Sequence, residues 1–324
     1  MCTAVSFHGK DHYFGRNLDL EYSYREEVVI TPRNYPFRFR KMGEMPHHFA
    51  LIGMAMVEDG YPLYYEATNE CGLSMAGLNF PGNAYYPPED ETKDNVTPFE
   101  LIPWLLGQCS SVAEARAMLR RLNPVQIHFS AQYPLSPLHW MLSDREESIV
   151  VEPMADGLRI HDNPTGVMTN NPPFDYHLYH LRDYLNVTTA DPSGRFAPGL
   201  TLPPYSRGMG AMGLPGDLSS SSRFVRAAFT AMNAAPGETE EESVSQFFHI
   251  LESVNQTMGC VYVGDKLERT VYSCCCNTDR GIYYYTTYFN RQITGIDMHR
   301  TDLDGTELRA YPLIQSQQIR METN

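Results

Sequence analysis

Two groups of three short β-branched, aromatic and aliphatic runs fill the first quarter of this chain, and the breaks inside each group leave no room for a helix. The runs are 2–7, 12–19 and 26–31, then 49–57, 62–67 and 73–78. His8-Gly9-Lys10-Asp11 and Glu21-Tyr22-Ser23-Tyr24 mark the first two breaks, and Gly and Pro punctuate the later ones. Parallel neighbours need a crossover of a dozen or more residues, so strands this close in sequence pair antiparallel.

Helices are predicted next, over 98–107 and 112–122, with Ser111 and Glu114 spaced as a capping box for the second. Runs 137–143, 148–153 and 157–161 repeat the antiparallel pattern. Helical periodicity returns over 177–185, 222–234 and 240–254, and strand character over 270–297. Sheets interleaved with helix pairs imply an α+β chain of layers, with helices covering two stacked sheets. The irregular stretch 188–204, rich in Pro, Gly and Ser, is a candidate substrate entrance.

Composition narrows the function classes. A length of 324 residues with 42% hydrophobic and 20% charged content suits one large or two ordinary globular domains. The net charge of -14 disfavours nucleic acid and anionic membrane surfaces. No apolar run approaches the roughly 20 residues of a membrane span, and no signal segment precedes Cys2, so a cytoplasmic location is expected. Seven cysteines, an odd number, argue against a disulfide framework. Cys274-Cys275-Cys276 lacks zinc-site spacing and reads as strand interior.

Some motif matches carry no chemistry. Gly208-Met209-Gly210-Ala211-Met212-Gly213 has dinucleotide-loop spacing but follows no strand, and Leu214-Pro215-Gly216 prevents a helix from starting there. Asp302-Leu303-Asp304-Gly305 reads as a turn. His177 and His180 have helical spacing without a second ligand pair and are expected at the surface.

The chemistry gathers around Cys2. Removing Met1 would place a thiol and an α-amine of pKa about 7.7–8.0 on one residue, giving nucleophile and base together. Arg16 and Asp19 end a run that forms a hairpin with 2–7, so Arg16 is a candidate to stabilise the thiolate and Asp19 to hold the amine. Residues 16 and 19 face opposite ways in a regular strand, so both reaching Cys2 calls for a strand end or bulge. Asn79, between Leu78 and Phe80 in a strand expected to be buried, needs polar partners and could donate to an oxyanion or cap the Pro81-Gly82 turn. Asn170 has the same two readings. Arg223, in the first turn of a predicted helix, opposes the helix dipole, which suggests a buried anionic partner.

Cys2-Thr3, Phe14-Gly15-Arg16-Asn17-Leu18-Asp19, the run Asn69 to Gly82 (NECGLSMAGLNFPG), Thr169-Asn170-Asn171-Pro172, Leu214-Pro215-Gly216-Asp217 and Ser222-Arg223-Phe224 occur in this order. The set resembles the choloylglycine hydrolase family of bile salt hydrolases and penicillin V acylases. The resemblance implies an N-terminal nucleophile hydrolase: one domain over 1–324, matured by loss of Met1, folded as a four-layer αββα sandwich. It also implies a homotetramer needing no metal or organic cofactor. By motif position it implies a catalytic set of Cys2, Arg16, Asp19, Asn79, Asn170 and Arg223. Cys71 stands where relatives often carry lysine. The substrates implied are glycine or taurine amides of bile acids, met by Arg16 and Asn79, with Leu18 and Tyr22 as candidate lining residues. Tyr61-Pro62-Leu63-Tyr64-Tyr65 and Asn79-Phe80-Pro81-Gly82-Asn83 resemble the bile salt branch, and Ser206-Arg207-Gly208 resembles a loop linked to taurine preference. Penicillin V is the alternative substrate, and an inactive steroid-binding relative is the alternative if Met1 stays.

Overall fold

The structure, a computed structural model, describes residues 1–194 and 196–322. Position 195, inside the 188–204 connection, and the last two positions of the 1–324 unit lie outside the described residues. The first strands are β1 (Cys2–His8), β2 (His12–Leu20), β3 (Glu27–Thr31), β4 (Leu51–Glu58), β5 (Tyr61–Asn69) and β6 (Ser74–Asn79). Helices α1 (Leu101–Leu106) and α2 (Val112–Leu119) follow, then β7 (Leu138–Ser143), β8 (Ser148–Met154), β9 (Gly157–Asp162) and β10 (Val167–Met168). The chain continues through α3 (Phe174–His180), α4 (Ser220–Asn233) and α5 (Glu240–Glu252). It ends with β11 (Arg269–Asn277), β12 (Ile282–Thr287), β13 (Asn290–Asp297) and β14 (Arg309–Pro312).

The strands build two sheets. One has six strands in the order β10-β1-β2-β11-β12-β13; the other has eight, β9-β8-β7-β6-β5-β4-β3-β14. Every neighbouring pair in them is antiparallel. Side-chain alternation sorts the layers. In the eight-stranded sheet Val28, Ile30, Ile52, Met54, Ala76 and Leu78 pack with the six-stranded sheet, whereas Val29, Leu51, Ala55 and Met75 pack with α1 and α2. The six-stranded sheet covers its other face with α4 and α5 through Phe224, Ala227, Phe247 and Leu251. The result is the four-layer αββα sandwich.

Two local expectations change. The helix predicted to reach 122 ends at Leu119, because Leu122–Pro124 leaves to pair in parallel with Asp94–Val96. Ser111 accepts from Glu114 N at 3.3 Å, but the Glu114 carboxylate turns back to Ser110 N, so the box closes only halfway. A full box instead opens α5, between Thr239 and Glu242. Cys274, Cys275 and Cys276 lie buried within β11. Among the described residues no helix is long and apolar enough to cross a membrane.

Candidate active site

The β1-β2 ladder decides which groups meet residue 2. Cys2 lies opposite Leu18, and Ala4 opposite Arg16, so these side chains share the face turned toward the eight-stranded sheet. Arg16 is buried there. Its Nη1 donates to Gly77 O at 2.7 Å and Tyr65 O at 3.2 Å, and its Nε lies 3.8 Å from Glu66 Oε2. Tyr65 is the extra residue of a β-bulge, since Met54 pairs with Glu66 and Ala55 with Tyr64. Burial works against the Arg16 charge, but Cys2, Tyr272, Glu66 and Cys274 together hold its pKa above the ordinary value. Glu66 is anchored in turn by the hydroxyls of Tyr272 at 2.7 Å and Tyr283 at 2.6 Å. Burial pushes the Glu66 carboxyl up, with Arg16 and the two tyrosines pulling the other way. Leu18 is buried beside the thiol, and Tyr22 is exposed beyond the end of β2, its hydroxyl 2.6 Å from that of Tyr24.

The backbone nitrogen of residue 2 meets a different set. Cys2 N donates to Asn170 Oδ1 at 2.8 Å, and Arg223 Nη2 donates to the same oxygen at 2.9 Å. Arg223 Nη1 reaches Cys2 O and Thr3 Oγ1, each at 2.6 Å. Asp19 lies fully buried nearby; its Oδ1 accepts from Thr270 Oγ1 at 2.6 Å, and its Oδ2 has no partner among the described residues. Burial pushes the Asp19 carboxyl up, while Arg223 and the N-terminus pull it down. Burial also lowers the Arg223 pKa, offset by Asp19, Cys2 and Glu268. Met1 prolongs β1 by one residue: its N donates to Asp19 O at 2.7 Å, its O accepts from Asp19 N at 2.9 Å, and its ammonium pairs with Glu268.

These two constellations meet at one end of the β1-β2 hairpin. The family described as linear amide C-N hydrolases, choloylglycine hydrolase family, matches residues 2–311. The chain belongs to that family. A bile salt hydrolase/transferase of Lactiplantibacillus plantarum is 55% identical over 314 residues, covering 97% of each chain. Among solved structures, a mutant conjugated bile acid hydrolase from Clostridium perfringens aligns with a TM-score of 0.92 and 36% identity over 100% of both chains. A penicillin V acylase from Agrobacterium tumefaciens aligns with a TM-score of 0.76 at 21% identity, covering 95% of this chain and 90% of its own; it shares the fold.

Within this choloylglycine hydrolase chain several sequence expectations take a different form. Arg16 and Asp19 do face opposite ways, close to the end of β2 at Leu20, and the β2-β11 ladder shifts register beside Asp19, between Thr270 and Tyr272. Arg16 lies on the thiol side, Asp19 on the nitrogen side. Asn79 is exposed rather than buried, because it is the last residue of β6; its carbonyl accepts from Asn170 Nδ2 at 2.7 Å. Asn171 turns away to Pro81 O. His177 is buried, not at the surface: it stacks on Phe224, and its Nε2 lies 2.9 Å from Asn170 O. Arg223 finds mainly neutral oxygens, with Asp19 acting through space. Sequence reasoning missed Glu268, Glu66 and the pair His139–Glu152, which holds Thr169 O and the first turn of α3. A lone acid inside an apolar strand, as Glu66 is, was a usable signal. Glu268 offered none, since its partner is 267 positions away.

Proposed function

We propose that this chain hydrolyses the amide bond of glycine- or taurine-conjugated bile salts, using Cys2 as nucleophile after Met1 is removed. The observation that carries the chemistry is the two-sided seat of residue 2, with Arg16 serving its side chain and Asn170, Arg223 and Asp19 serving its nitrogen. The choice of amide follows the relatives, whose names specify bile salts and conjugated bile acids at 55% and 36% identity.

In this reading the α-amine takes the thiol proton and Arg16 steadies the resulting thiolate. Sulfur attacks the amide carbon, and the carbonyl electron pair moves onto oxygen. Asn170 Nδ2 gives one N–H to Asn79 O and has no second acceptor among the described residues; its other N–H and the exposed Asn79 amide serve as oxyanion donors. Collapse breaks the C–N bond, and the α-ammonium gives its proton to the departing glycine or taurine nitrogen. Water then attacks the thioester, passing a proton through the amine to the leaving sulfur. The steroid meets the side of Leu18, Tyr22 and Tyr65. A cleft of about 650 Å³ at the other end of β1 is lined by His8, Arg116, Glu147 and Asp162, too charged for a steroid and remote from the thiol. A cytoplasmic homotetramer belongs to the same proposal and is checked by fractionation and light scattering.

The test is release of glycine and taurine from conjugated cholates by mature protein and by Cys2→Ala. Wild-type turnover that vanishes in the variant, with the fold retained, is the expected result. Turnover persisting in Cys2→Ala, or phenoxyacetate released from penicillin V with no action on bile salts, overturns the proposal.

A further inference from the structure

We propose that Glu268 is a second carboxylate of the amine site, a positioning residue that binds the Met1 ammonium before maturation and the Cys2 α-ammonium after it. This rests on the reading above that the freed amine is the proton acceptor.

Charge balance around the nitrogen motivates it. Arg223, buried in α4, donates to Cys2 O, so any charge on the residue 2 amine forms beside a guanidinium. Asp19, from β2, balances one of these two cations. When the amine takes the thiol proton, the thiolate projects to the Arg16 face while the ammonium forms beside Arg223, so a second carboxylate on the nitrogen side would favour the transfer. Among the described residues the remaining neighbours do not supply one on this face. Asn170 is neutral, His177 on α3 lies behind Asn170, and Arg16 and Glu66 work from the other side of the sheet.

Glu268 fits the vacancy. It precedes β11, is 2% exposed, and its carboxylate is held by the Met1 ammonium. One residue of extended chain advances about 3.4 Å, which leaves the Glu268 carboxylate within about 6 Å of Cys2 N. At that range an opposite charge favours the protonated amine. Loss of Met1 removes the partner of a buried carboxylate and creates a new ammonium one residue further in. The same carboxylate thus serves both stages, and it leaves Asp19 free to balance Arg223.

The experiment compares pH profiles of kcat/KM for wild type, Glu268→Gln and Glu268→Asp with a conjugated cholate, on protein whose N-terminal cysteine is verified by mass spectrometry. An aminopeptidase removes any retained Met1 beforehand. Glu268→Gln is expected to move the acidic limb, which reports deprotonation of the residue 2 amine, down by about one pH unit. Glu268→Asp, with the charge kept but drawn back by a methylene, moves it less in the same direction, and this arm decides if the glutamine variant does not fold. A limb unchanged in both folded variants overturns the proposal while leaving the Cys2 mechanism standing. Wild-type protein without Cys2-dependent turnover would instead remove the reading on which it rests.

Discussion

Asn170→Asp separates the two tasks assigned to one side chain. Asn170 Oδ1 accepts from Cys2 N at 2.8 Å and Arg223 Nη2 at 2.9 Å, while Nδ2 donates to Asn79 O at 2.7 Å. Aspartate has nearly the same shape, so it keeps the acceptor and strengthens the Arg223 contact. It loses both N–H donors, and its second oxygen would face the Asn79 carbonyl at hydrogen-bond distance with no proton between them. Losing one oxyanion donor costs about 2.7–4 kcal/mol in the barrier, so kcat is expected to fall roughly 10²–10³-fold. The lost bond to Asn79 and the charge-assisted gain on Arg223 oppose each other, leaving a stability change within about 2 kcal/mol. Initial rates of amine release give kcat, and urea unfolding gives stability. Asn171→Asp is the control: its side chain bonds to Pro81 O and is partly exposed, so its kcat is expected within about threefold of wild type. A folded Asn170→Asp variant with kcat within tenfold of wild type refutes the donor role.

Gly15→Ala tests how tightly the hairpin is held. A β-carbon there would sit 1.9 Å from Cys274 O in the adjoining strand, so the variant is expected to lose about 3 kcal/mol or more and unfold at lower urea. His177 gives a pH signature. Burial holds its pKa down, from an ordinary 6.5 to about 4, so the native state favours the neutral ring. Its stabilisation is complete above pH 6.5 and is lost as pH falls from 6.5 through about 4, to a total of about 3 kcal/mol. Because His12 is also held down, to about 3, the quantity to read is wild type minus His177→Gln in urea titrations at pH 7 and pH 4. A difference that does not change with pH counts against the buried neutral ring.

Strand positions were legible because turn residues and alternation act locally: the hairpin 2–7/12–19 appears as β1 and β2 with bounds extended by one residue each. The same local logic failed where a tertiary partner decided the outcome. Flanking apolar residues suggested that Asn79 was buried, yet the last position of a strand can leave the sheet surface, and it does. Spacing suggested that His177 was exposed, but α3 packs on α4 and turns that histidine onto Phe224. The dipole mismatch at Arg223 did signal a buried cation. It could not show that the compensation is spread over Cys2, Thr3, Leu218 and Asn170 oxygens, because three of these four partners lie 53 or more positions away in sequence.

The three-residue separation of Arg16 from Asp19 makes physical sense once residue 2 is treated as two functional groups. In a strand the thiol must project to one face, and a terminal amine lies at the edge between both. Even positions of β2 look into the core shared by the two sheets, where Leu18, Ala76 and Leu78 are buried and where the proposed mechanism has a guanidinium backed by Glu66 act at low dielectric on the sulfur. Odd positions look toward α4 and α5, where Asn17 reaches Leu251 O and Asp19 joins Arg223 around the nitrogen. Proton donor and nucleophile can then be tuned independently although they share a residue, since the sheet itself stands between the groups that tune them. A single-faced site would place the Arg16 and Arg223 guanidiniums on the same side as the amine and disfavour the ammonium that the proposed mechanism requires.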